Sequence, residues 1–172
     1  MTARENHPET PAKKTLVTRI VEGLATALYL GKIPFAPGTF GTLMGIPVAW
    51  LFIQAGPVAY MVLTIALILF ACVIAELHER YTNAHDPKEI VIDEVAGYVV
   101  AMTWLPYTWQ SFLGAFLLFR LFDIWKPGPI RKMDQTIKGG LGTVLDDVAA
   151  GLAASIILQV IYTQTDWLGV KL

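Results

Sequence analysis

Between Lys32 and Glu76 the chain carries no charged residue, a run long enough for two membrane-crossing helices of about 20 residues each with a turn between them. Gln54-Ala55-Gly56-Pro57 supplies that turn, and Pro57 suits the first turn of a following helix through Val62, Leu67, Ile68 and Phe70. A helical hairpin in lipid is the expected result. Composition agrees: 55% of the 172 residues are hydrophobic, 16% are charged and the mean hydropathy is +0.53, beyond the usual soluble domain.

A second uncharged stretch, Val95 to Phe119, is interrupted by Leu105-Pro106-Tyr107-Thr108-Trp109, where a proline and interfacial aromatics mark a membrane surface. Its two arms reach a spanning length of roughly 16 to 17 residues only by including Asp93 and Glu94 at one end and Arg120 and Asp123 at the other. A last apolar run, Val148 to Thr165, is rich in small residues that let helices approach closely in lipid. These runs predict an all-α polytopic membrane protein with about five transmembrane spans. Residues 16 to 30 place Leu16, Ile20, Leu24 and Leu28 at helical spacing, which predicts an N-terminal interfacial amphipathic helix. Residues 1–14 are polar and read as a disordered cytoplasmic tail rather than a cleaved signal, leaving 15–172 as a single membrane-embedded domain.

Lys and Arg fall in the tail and in alternate connections, while the turns near Gly56 and Pro106 carry none, so the basic segments are expected in the cytoplasm. With that topology Asp93, Glu94, Asp123, Asp134, Asp146 and Asp147 gather at one surface. A carboxylate within a span costs about 2.5 to 3.5 kcal/mol on insertion scales, so such groups face a cavity, pair with a cation or bind a metal. Beside Arg120, Lys126, Arg131 and Lys132 they are suited to hold Mg²⁺ and a phosphate together, because Mg²⁺ takes one or two carboxylates plus phosphate oxygens. Phosphoryl transfer then needs mainly positioning and neutralisation of oxygen charge.

Each feature also has a plainer explanation. Arg120 and Asp123 are helical neighbours and can simply pair with each other. Asp93-Glu94 and Asp146-Asp147 can cap helices. The loop from Pro34 to Thr42, with Gly38 and Gly41, is either a turn or an anion cradle at a helix start. His78 and His85 read as solvated loop residues, and the lone Cys72 excludes a disulfide framework and a CxxC metal pair. A net charge of −1 gives no basic face for nucleic acid.

Three blocks then stand out: PGTFGT at 37–42, IDEVAG at 92–97, and FRLFDIWKPGPIRKMDQTIKGGLGTVLDDVAAG at 119–151. Their combination resembles the phosphatidylglycerophosphatase A family over nearly the whole chain after the tail. The resemblance implies a bacterial inner-membrane, multi-pass, Mg²⁺-dependent phosphomonoester hydrolase acting on a glycerophospholipid, phosphatidylglycerophosphate, from the cytoplasmic leaflet. The matching positions imply Asp93, Glu94, Asp123, Asp146 and Asp147 as catalytic, with Asp93, Glu94, Asp123 and Asp147 as metal ligands. Thr39, Arg120, Lys126 and Arg131 are implied for the phosphate, and Asp134 is a further matching acid. A head-group transferase of the CDP-alcohol type lacks its DGxxAR stretch here, and there is no Cys-x5-Arg loop or DxDx[TV] motif. An ion transporter predicts charges near mid-membrane rather than at one surface.

Overall fold

A computed structural model describes residues 15–84 and 87–169, so the tail at 1–14 and His85 lie outside the described residues. Among the described residues there are seven α-helices and one short 3-10 turn, with no strand. The helices are α1 (Leu16–Ala25), α2 (Pro37–Gln54), α3 (Pro57–Thr82), α4 (Ile92–Ala101), α5 (Trp109–Trp125), α6 (Gly128–Thr136) and α7 (Gly140–Gln164).

Several expected boundaries move, each for a local reason. Helix α1 starts on a Thr15 side chain that accepts from the Thr18 amide, and it exposes Leu16, Val17 and Ile20 while burying Val21, Glu22 and Ala25. It stops at Ala25 rather than near 30, because Ala27, Leu28 and Tyr29 all take left-handed backbone angles and lead into the turn Leu30–Lys32. The break at Gly56-Pro57 falls where expected, with Pro57 opening α3. Nothing stops α3 before Asn83, which caps it with a φ of 51°, so Glu76, His78, Glu79 and Arg80 are helical rather than in a connection. Helix α7 likewise begins eight residues earlier than the apolar run, at the Gly139-Gly140 pair, so Asp146 and Asp147 lie in its second turn and do not cap it.

Two of these helices, α3 and α7, are long and apolar enough to cross a membrane. Helix α2 has 18 residues, α5 has 17 and α4 only 10. At 1.5 Å per residue α4 covers about 15 Å, roughly half a hydrocarbon core. The chain turns after it through Met102 and Trp104, the latter at a φ of 57°.

Despite its length, α4 is the centre of the bundle. All of its residues except Glu94 are buried, and it packs chiefly against α7 and α2. Helices α4 and α7 cross at Gly97 and Gly151: a methyl on Gly151 would strike the Gly97 carbonyl, and one on Gly97 would strike Phe119 and the Asp147 carbonyl. Small residues permit this approach, which in lipid supplies the packing attraction that burial from water cannot. Asp93 is one turn before Gly97 and Asp147 one turn before Gly151, so the crossing also sets two acids side by side. At the other end of α4 the freed carbonyls find partners: the Tyr60 hydroxyl donates to Val99 O at 2.5 Å, and Gln159 Nε2 donates to Thr103 O at 3.2 Å.

The outer surface is apolar. Val58, Val62, Ile65 and Leu69 on α3, Leu113, Leu117 and Leu121 on α5, and Leu152, Ile156 and Val160 on α7 are all exposed. Trp104, Tyr107, Trp109 and Trp167 ring one end, and Trp125, Tyr29 and Phe35 lie toward the other. This is the surface of a membrane-associated protein.

Candidate active site

The N-terminal turns of α2, α4 and α7 and the C-terminal turns of α5 meet around a cavity of about 280 Å³. Ala36, Pro37 and Gly38 bring the start of α2 to its wall. A side chain at Gly38 would meet the Glu94 carboxylate and the Arg120 guanidinium and displace them, so the glycine of the PGTFGT block leaves room for those two groups. Pro37 occupies the first helical position and the Thr39 amide is already bonded to Ala36 O at 3.0 Å. The same glycine logic continues along α2, where Gly41 abuts Val91 and Gly45 abuts Tyr98.

Of the residues singled out in the sequence, Asp93, Glu94, Arg120, Asp123, Lys126, Asp146 and Asp147 line this one cavity. Thr39 and Arg131 do not; Arg131 is exposed on α6, its guanidinium 3.5 Å from Trp125 O. Asp134 falls within α6, and its side chain lies outside the described residues. One carboxylate oxygen each from Asp93, Glu94 and Asp147 lies within 4.8 Å of the others. Asp123 instead accepts from Arg120 Nη1 at 2.5 Å, and that same nitrogen is 3.8 Å from Glu94 Oε1. Lys126, in the left-handed cap that ends α5, donates to Asp146 Oδ2. The Arg120 and Asp123 pairing allowed as a plain explanation is therefore present, but inside the cavity rather than apart from it.

Among the described residues, the buried oxygens Glu94 Oε2 and Asp147 Oδ2 accept no hydrogen bond. A buried acceptor without a donor is costly, and anions crowded together raise the cost further. Among the described residues, five carboxylates against three cations line the cavity, a surplus that a phosphate would meet as repulsion. A hard divalent cation among Asp93, Glu94 and Asp147 satisfies both observations, so the donor set fits Mg²⁺.

Supporting residues came from parts of the sequence that carried no assignment. Thr143 lines the cavity and donates to the buried Glu79 Oε1 at 2.7 Å; Glu76 Oε2 accepts from the Gly140 amide at 2.8 Å. Helix α3 thereby holds the start of α7, and with it the register of Asp146 and Asp147. His78, expected in a solvated loop, is 2% exposed on α3 and bonded through Nε2 to Glu89 Oε1 at 2.9 Å. Only the extension of α3 past residue 76 could have revealed this, and the charged residues there concealed it. In the turn after α1, Lys32 donates to the Glu22 carboxylate, which holds the ammonium pKa above its ordinary value.

The geometry, then, is an acid cluster with three cations at the end of a helical bundle. The phosphatidylglycerophosphatase A family model matches residues 23–162, from α1 to near the end of α7. This chain belongs to the phosphatidylglycerophosphatase A family. It is 34% identical to the phosphatidylglycerophosphatase A of Haemophilus influenzae over 150 residues, covering 86% of this chain and 92% of that one. With the Escherichia coli protein of the same name it shares 30% identity over 162 residues, 94% of each chain. A Bacteroides thetaiotaomicron protein named as a phosphatidylinositol-3-phosphatase is 35% identical over 146 residues, 80% of this chain and 90% of its own. No solved structure is significantly similar.

Proposed function

We propose that this protein removes the terminal phosphate of phosphatidylglycerophosphate to give phosphatidylglycerol, as a Mg²⁺-dependent enzyme of the bacterial inner membrane with its site facing the cytoplasm. Both relatives named phosphatidylglycerophosphatase A support the substrate. The observation that carries the chemistry is the triad Asp93, Glu94 and Asp147 sharing one cavity with Arg120 and Lys126.

In this reading Asp93, Glu94 and Asp147 hold the metal through oxygens already turned toward one another. The chemistry supplied by Mg²⁺ when bound is Lewis acidity toward phosphate oxygens and water. Arg120 and Lys126 neutralise the phosphoryl oxygens. Asp123 and Asp146 hold those cations in fixed directions before substrate arrives, so little reorganisation is needed as charge shifts during transfer. The apolar helices on either side leave the lipid tail in the bilayer while its head group enters from the surface.

Basic residues support the orientation: Lys88, Lys126, Arg131, Lys132 and Lys138 all lie at the site end, whereas the turns at 55–56 and 102–108 carry no charge. A multi-pass arrangement follows, with α3 and α7 crossing fully and α2, α4 and α5 as shorter arms beside them.

The test is phosphate release from phosphatidylglycerophosphate in detergent micelles, with Mg²⁺ and with EDTA, comparing wild type with Asp93→Asn. Release that requires Mg²⁺ and disappears in a folded Asp93→Asn protein supports the assignment. Release undiminished by EDTA overturns the metal role, and no release by the folded wild type overturns the substrate.

A further inference from the structure

Among the described residues three cations line the cavity, and two of them are committed. Arg120 is paired with Asp123 and Lys126 with Asp146, both among half-buried or buried groups. The third, Lys88, is exposed, and among the described residues no carboxylate or hydrogen-bond partner engages its ammonium. A cation at the rim of a strongly acidic cavity that pairs with none of its acids is available to a ligand.

Its backbone is nevertheless held firmly. Lys88 belongs to a turn closed by the Ile90 amide on Pro87 O at 2.8 Å, and the next amide, that of Val91, donates to Ala25 O at 2.9 Å. The neighbouring Glu89 side chain is tied to the buried His78, and Gly31 packs so tightly on the Glu89 carbonyl that no side chain would fit there. Ile90 and Val91 are buried. The turn is thus fixed from α1, α3 and α4 together, and it presents one long flexible cation at the mouth of the site.

We infer that Lys88 recognises the second, non-scissile phosphate of the lipid substrate and so selects a head group with two phosphates over one with a single phosphate. This rests on the function proposed above: a glycerophospholipid monoester bound at Arg120 and Lys126 carries its phosphodiester toward the bilayer, past the cavity rim where Lys88 stands. A single ammonium recognises such a group as a point charge rather than by a bidentate geometry. Charge is therefore what matters, and arginine serves in its place.

The experiment measures kcat and KM on phosphatidylglycerophosphate micelles for wild type, Lys88→Ala and Lys88→Arg, with inorganic phosphate as competitive inhibitor reporting on the scissile-phosphate pocket alone. Lys88→Ala is expected to raise KM about fivefold, the scale of an exposed ion pair, with kcat and the inhibition constant for phosphate unchanged and Lys88→Arg close to wild type. A KM that does not move, or one that rises together with the phosphate inhibition constant, overturns the assignment. A wild-type protein with no activity overturns the proposed function and this inference with it, whereas an active wild type with an indifferent Lys88→Ala removes only the latter.

Discussion

Helices α5 and α7 meet at both ends of the molecule, and the two ends are built oppositely. At one, Arg120, Asp123, Asp146 and Asp147 line the charged cavity. At the other, Leu113, Leu117, Ile157, Ile161 and Trp167 line an apolar groove of about 510 Å³, larger than the acid cavity of about 280 Å³. Size therefore does not locate the chemistry. What distinguishes the ends is what lipid permits: an apolar groove among exposed leucines costs nothing in a bilayer, whereas carboxylates there need a cation, a cavity or both.

Predictions that separate the two ends start with the acids. Asp147→Asn removes a charge from the triad while keeping its shape, and kcat is expected to fall on the order of 10²–10³-fold with the fold intact by circular dichroism. Retention of full activity would remove Asp147 from the metal set. Next comes the crossing that joins the two ends. Gly151→Ala drives a methyl into the Gly97 carbonyl, and the overpacking is expected to cost about 1–3 kcal/mol in detergent unfolding. Because the crossing sets the spacing of Asp93 and Asp147, activity should fall at temperatures where the protein is still folded. If stability drops without loss of activity, the crossing does not set the site.

Smaller effects are expected away from the acids. Tyr60→Phe deletes the donor that satisfies Val99 O, and about 0.5–1.5 kcal/mol of stability should go with it while kcat stays unchanged. A fall in kcat at constant stability would mean that α4 transmits changes from its far end to Asp93. Smallest of all, Leu117→Ala in the apolar groove should leave kcat and KM on micellar substrate within about twofold, since its side chain is largely exposed to lipid and far from reacting groups. A large rise in KM would instead make the groove a part of lipid binding.

Much of the fold could be read from spacing. Gly56-Pro57 marks a real helix start because backbone chemistry acts locally: proline fits the first turn and glycine takes a φ of 89° without strain. The clustering of acids at one end was also legible, since the lengths of apolar runs fix which residues reach which surface. Helix lengths were not. Helix α3 runs on through Glu76, His78, Glu79 and Arg80 because each finds a partner, Gly140, Glu89, Thr143 and Glu76 respectively, that belongs to another segment or turn. A charged stretch after an apolar run looks like a loop until those partners are known. The short helix α6 after Lys126-Pro127 was missed for a similar reason, its composition being polar and its proline ambiguous.

The sequence by itself determined the all-helical class, the turn positions, the apolar exterior and the family, because these depend on local backbone preference, run length and residue identity. Only the tertiary structure decided that Asp93, Glu94 and Asp147 form the triad, that Asp123 and Asp146 hold Arg120 and Lys126, and that Thr39 and Arg131 stand outside the cavity. The reason is rotational. In a helix that is apolar on every side, periodicity does not say which face turns inward, and here a glycine crossing between α4 and α7 makes that choice.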